Sequence, residues 1–203
     1  LTLFPYTTLF RSAGFGGTPE QIMSLASRTP EEAVKSLVYF DRSAQELNAF
    51  EHSGIHDPGL DPFPPSRPAT TELAKANGEA LGVKVKPTGN RRLQPVVNKF
   101  FYWLRASVLE TNRVSYWWAN RMVASQNPLQ EKMALFWHGH YAINESKVRD
   151  YRKLLQELEL FHEMGTGNFR DLMVAVAQDP AMLSFLDAGV NVKGAPNENF
   201  ARE

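Results

Sequence analysis

Wherever this chain carries a run of apolar residues, they recur at three- and four-residue spacing, and no stretch longer than about six residues keeps strand alternation. That period admits helices and leaves no material for a sheet. The sequence also marks where helices begin. Thr18-Pro19-Glu20-Gln21 and Thr29-Pro30-Glu31-Glu32 each place a capping hydroxyl, a first-turn proline and a returning Gln or Glu in capping-box order. They predict a helical hairpin near the N-terminus. Gly14, Gly16 and Gly17 lead into it, and they are no phosphate loop, because no strand precedes them and no Lys-Ser/Thr follows.

From Ser53 to Ala69, prolines at 58, 62, 64, 65 and 68 preclude regular helix and central strand, so a loop or linker is predicted there. A weaker helix over Thr70–Leu81 and a second loop over Gly82–Gly89 follow. Lys84, Lys86, Arg91 and Arg92 form a basic run without interleaved aromatics, which reads as a solvated loop ahead of an anion contact. After Pro95 a long apolar helix, or two joined helices, runs to about Ser125 through Phe100, Phe101, Leu104, Tyr116, Trp117 and Trp118; this aromatic stripe is assigned to the core. Pro128 opens another helix, with Leu129, Met133, Phe136, Trp137 and His140 on one face. Ser146–Met164 is amphipathic, with Val148, Tyr151, Leu154, Leu155, Leu158 and Phe161 inward, and Gly165 and Gly167 stop it. Asn168–Gln178 and a short helix capped by Asp179 complete an all-α, irregular multi-helix bundle.

Composition narrows the chemistry. The 22 basic and 22 acidic side chains give no electrostatic footprint for nucleic acid, so no nucleic-acid partner is expected. With no cysteine, thiol nucleophiles, iron–sulfur clusters and Cys-based zinc sites are absent. A divalent metal would need His and carboxylate ligands. No Gly-x-Ser-x-Gly, Walker loop, His-Glu-x-x-His or Rossmann fingerprint occurs.

Leu1–Ser12 reads LTLFPYTTLFRS, with no basic leader and too few apolar residues for a membrane span of about 20. It resembles the translated sequencing adapter found at the ends of metagenomic gene fragments, so residues 1–12 are read as a non-native leader and 13–203 as one helical domain. At the other end, Asn197–Glu203 has the pattern of a helix just beginning, which predicts truncation at the C-terminus.

Two segments hold the candidate chemistry. In Phe136-Trp137-His138-Gly139-His140-Tyr141, His138 and His140 are the metal-ligand candidates, provided that the helix breaks near Gly139. On an unbroken helix, residues two apart diverge by about 200°. The alternative leaves one histidine in the core and the other near the surface. Further ligands would come from Glu198, Glu203, His162 or Glu163, although His162-Glu163 reads more simply as a surface group at a helix end. In the second segment, Lys193–Glu203, Asn197 suits a cap and Glu198 precedes Arg202 by four residues as in a helical ion pair. Its crowding of amides and carboxylates also suits a cleft, which makes Glu198 and Glu203 the catalytic candidates.

At these segments the chain resembles a known family. NPLQEKMALFWHGHYA (Asn127–Ala142), GNFRDLMVAVAQDPAMLSFLD (Gly167–Asp187), KGAPNENFARE (Lys193–Glu203) and AGFGGTPEQI (Ala13–Ile22) are similar to blocks of the bacterial domain-of-unknown-function family 1800. That family usually carries Asn where Gly139 stands and continues beyond Glu203, so the resemblance implies an N-terminal fragment. It also implies a bacterial, exported or periplasmic protein, and it brings no settled activity. Trp137, His138, His140, Asn197, Glu198, Asn199, Arg202 and Glu203 are family-motif positions without an assigned role.

Two functional readings follow. One is a helical binding or assembly module of the cell envelope, with a protein partner. The other is a metal-dependent hydrolase or oxidoreductase in which His138 and His140 act with a carboxylate from Asn197–Glu203.

Overall fold

The computed structural model describes residues 4–40, 49–53 and 94–202. The predicted helix over Thr70–Leu81, the loop over Gly82–Gly89, the basic run, Glu203 and all of the proline-rich stretch after Ser53 lie outside the described residues, as do the side chains of Phe100, Phe101 and Leu104.

The architecture is all-α. In chain order the elements are α1 (Phe4–Ala13), α2 (Pro19–Ala26), α3 (Pro30–Val38), α4 (Gln94–Ala124), α5 (Pro128–Tyr141), α6 (Glu145–Val148), α7 (Tyr151–Met164), α8 (Phe169–Gln178), α9 (Pro180–Phe185), a 3-10 turn at Ala188–Val190, and α10 (Glu198–Arg202). No strand occurs among the described residues; Val192 and Ala195 form an isolated bridge.

The helix starts follow the local chemistry. Thr18 and Thr29 each accept from the backbone N–H three residues on, while Gln21 and Glu32 accept from the cap N–H at 2.8 and 3.0 Å. Asp179 caps α9 through one carboxylate oxygen, which accepts from the N–H groups of Ala181 and Met182. Each such cap stabilises its helix by about 1 kcal/mol.

The chain divides into two compact units, and α4, α7 and α8 contribute to both. The first comprises the described parts of Leu1–Phe50, Ser115–Ala142 and Leu158–Ala175. Its N-terminal core is Phe10, Leu25, Ala33 and Leu37, flanked by Tyr6, Leu9, Ala13 and Ile22. Helix α1 packs on α2 and α5. A Cβ at Gly14 would lie 2.6 Å from the Pro128 side chain, so glycine sets how closely the chain passes the start of α5.

The second unit comprises the described parts of Glu51–Val114, Ile143–Glu157 and Val176–Glu203. Its interior holds Val148, Tyr151, Leu154, Leu155, Ala181 and Met182. The amphipathic stretch predicted as a single helix over Ser146–Met164 is two helices. Arg149 adopts φ 54°, which ends α6 and turns the chain before α7. The inward residues are nevertheless those expected, from Val148 and Tyr151 at 1% exposure in this unit to Phe161 at 0% in the first.

Candidate functional site

Helix α5 carries the histidine block. It runs unbroken through Gly139 to Tyr141 and ends at Ala142, which takes a left-handed conformation. The break that would let the two histidines converge is therefore absent, and they diverge. His138 is half-buried, and its ring meets Trp118 of α4 edge-on at 5.4 Å. His140 is exposed and stacks on Phe136, with ring planes 13° apart.

Trp137 lies at the centre of an aromatic array in the first unit. Its ring stacks against Tyr141 and Phe169, and Phe136 meets it edge-on at 4.9 Å. Its indole N–H donates to the Gly165 carbonyl at 2.7 Å. Tyr141 in turn stacks on the buried ring of Phe161, and burial pushes the Tyr141 hydroxyl above its ordinary range. Phe136 and Phe169 are 53% and 55% exposed, so the outer rings of a fixed array face solvent. The face of α5 that enters the core instead carries Pro128, Glu131 and Ala134. The stripe on α4 is likewise divided: Trp118 is buried, whereas Tyr116 is 75% exposed.

Glu131 is the polar centre of this unit and was not singled out by sequence. It is fully buried and accepts from His162 Nε2–H at 2.5 Å and from Arg121 Nε–H at 3.3 Å. Arg121 also lies over the Trp117 ring. His162 is therefore an interior group paired with α5, whereas its position beside Glu163 suggests a surface residue. Its Nδ1 is buried and makes no hydrogen bond among the described residues. A carboxylate that orients an imidazole also serves in metal and acid–base sites. Here it is closed to solvent and holds three helices together. The sequence signal was a lone Glu on the inward face of α5, legible only once His162, 31 residues on, is placed against it.

The second unit has two polar clusters of its own. His52 Nδ1 and the buried Tyr151 hydroxyl are hydrogen-bonded at 2.7 Å. Beside them Ser53 donates through its hydroxyl and its N–H to Glu110, which also accepts from Arg113 at 3.1 Å. Burial pushes the Glu110 carboxyl up, but the Ser53 and Arg113 hydrogen bonds together bring it below its usual value. In the other cluster, Lys153 Nζ donates to Ser184 Oγ at 2.7 Å, and Ser184 donates to the Pro180 carbonyl. Burial lowers the Lys153 pKa against the pull of Asp150 and Asp179, and raises both of those carboxyls.

The C-terminal candidates also lie in this unit. The Asn197 N–H donates to Asn191 Oδ1 and its amide N–H to the Leu186 carbonyl, which fixes the turn before α10. Glu198 and Arg202 are exposed, Asn199 lies on α10, and Glu203 is outside the described residues. Among the described residues no group of three or more His, Asp or Glu side chains is placed to hold a metal ion. None of the described helices is long and apolar enough to cross a membrane.

Fold and site thus define an all-α protein of capped helices, locked by buried carboxylate clusters and presenting an aromatic face. The family described as Protein of unknown function (DUF1800) matches residues 8–203, and the chain belongs to it. No curated protein and no solved structure matches the chain.

Proposed function

We propose that this chain is a helical protein-binding module whose contact surface is the aromatic face of α5 and α8. The observation that carries this reading is that Phe136 and Phe169 are each more than half exposed, yet both rings lie against a Trp137 whose indole is bonded to Gly165. Exposed apolar clusters of this kind mark interaction sites. Anchors already fixed before binding lose little conformational entropy when a partner arrives. Within the same unit the Glu131 carboxylate ties α5 to His162 of α7 and Arg121 of α4, which supports the helices that carry the face.

The test places a photoreactive benzoylphenylalanine at position 136 in cells that make the chain. Protein adducts should form and should be lost when Phe169→Ser and Met173→Ser are added, with the helical circular dichroism spectrum retained. Adducts equally abundant from the exposed position 31, or unaffected by those substitutions, would overturn the reading.

A further inference from the structure

Helix α8 is apolar on more sides than the described residues cover. Seven of its ten residues, FRDLMVAVAQ, are apolar, yet only Leu172 and Val176 are fully buried, at 1% and 2% exposure. Phe169, Met173 and Val174 are 50–55% exposed, and Ala177 is exposed as well. A helix apolar on most sides is ordinarily covered on most sides. Resting on the binding reading above, we infer that the partner is a second copy of this chain, packed antiparallel through α8 about a two-fold axis at Met173.

The spacing argues for self-pairing. Phe169, Met173 and Ala177 lie four residues apart and form one ridge of the helix. An antiparallel pair centred on Met173 sets the Phe169 ring of one copy against Ala177 of the other, and does so twice. Large therefore meets small at both ends, with methionine, the most adaptable apolar side chain, against its own copy at the axis. Antiparallel helix dipoles favour the same arrangement. The only charges on α8, Arg170 and Asp171, are of opposite sign and adjacent, so doubling the surface builds up no like charge. With the flanking Phe136 the exposed apolar area is roughly 400 Å² per copy, about half of a standard partner surface, which is the size of a weak, reversible contact.

The experiment uses the purified full chain in sedimentation equilibrium from low to high micromolar concentration. A monomer–dimer equilibrium is expected. Phe169→Ala, which opens a hole, and Ala177→Phe, which overfills one, should each weaken it at least tenfold. The double variant swaps large and small and should return the dissociation constant to within about threefold of the starting value. Both positions face solvent, and circular dichroism confirms that each variant stays folded. Because the chain has no cysteine, Met173→Cys provides a second readout: it should form a disulfide-linked dimer under mild oxidation much faster than Glu31→Cys. A chain that stays monomeric throughout, with no preference between the two cysteine variants, overturns the inference. If such a chain still gives photo-adducts from position 136 with a different protein, the binding reading survives without self-pairing; if adducts are absent too, both fall.

Discussion

Trp137 and Gly165 form a lock that only this pair of residues can make. The indole N–H of Trp137 reaches the Gly165 carbonyl at 2.7 Å, and a Cβ at Gly165 would stand 3.0 Å from the indole and 2.4 Å from the Phe161 carbonyl. The last turn of α7 can therefore close against α5 only if residue 165 has no side chain. Gly165→Ala should cost about 1–3 kcal/mol through backbone displacement. Trp137→Phe should cost about 1–2 kcal/mol, by leaving the carbonyl without its donor. Urea unfolding measures both, and an unchanged midpoint for Gly165→Ala would show that the turn has room to move.

The buried carboxylate predicts a sharper loss. Glu131→Ala leaves the buried His162 and the part-exposed Arg121 without their carboxylate partner and should destabilise the chain by about 3 kcal/mol. A joint replacement of Glu131, Arg121 and His162 by apolar residues should recover much of that loss, since no charge is then left unpaired. A joint variant no better than Glu131→Ala would mean that these groups do more than compensate one another.

One position within α5 and the residue that caps it should accept stabilising changes. At Gly139 an added Cβ meets nothing within 4 Å, so Gly139→Ala should raise stability by about 0.5–1 kcal/mol through helix propensity. Ala142 ends the helix at φ 53°, where an L side chain is strained, and Ala142→Gly should gain a similar amount. Thermal unfolding checks both.

His138 separates the two readings of the histidine block. Its ring packs edge-on against Trp118, so His138→Ala should lower stability by about 1–2 kcal/mol and leave the metal content of a chelator-treated, reloaded preparation unchanged. Loss of stoichiometric metal at an unchanged melting temperature would restore the metal reading.

Glu110 sets a pH dependence whose sign is fixed by its surroundings. Its folded carboxyl lies below the ordinary value of about 4.3, because the hydrogen bonds from Ser53 and Arg113 outweigh the opposing effect of burial. Its contribution is therefore fully present above that value and is lost as pH falls through the lowered folded pKa. Asp150 and Asp179 are raised and act in the opposite sense: they favour the folded state more as pH falls. The difference in unfolding free energy between the chain and Glu110→Gln should thus be constant at neutral pH and shrink below about pH 4. A difference that stays flat to pH 2 would show that Glu110 makes the same bonds when protonated.

Features set by neighbouring residues were legible in the sequence. The capping boxes at Thr18 and Thr29, the Asp179 cap and the inward face of α7 all rest on contacts within one or two turns, and the structure reproduces them. Features set by distant partners were not. Nothing local marks Arg149 as the end of a helix, since glycine is the usual residue for a positive φ. The inward Glu131 becomes reasonable only through His162 and Arg121, contributed by two other helices. On α5 the periodic aromatic residues drew attention to one face while the core took another, so Phe136 and His140 are exposed. Family membership was legible because four blocks stood in order, and it brought no chemistry with it.

The Glu131 cluster also has a bearing on how the chain rejects wrong structures. Apolar helix faces tolerate sliding, because one leucine replaces another at nearly the same free energy. A carboxylate that must meet an imidazole on α7 and a guanidinium on α4 at once has no equivalent position one turn away. An arrangement slipped by a single turn would close a charge into the interior without a counter-charge, and it would be rejected before packing is complete. Where α4, α5 and α7 meet, that penalty on error does for register what the apolar contacts alone cannot.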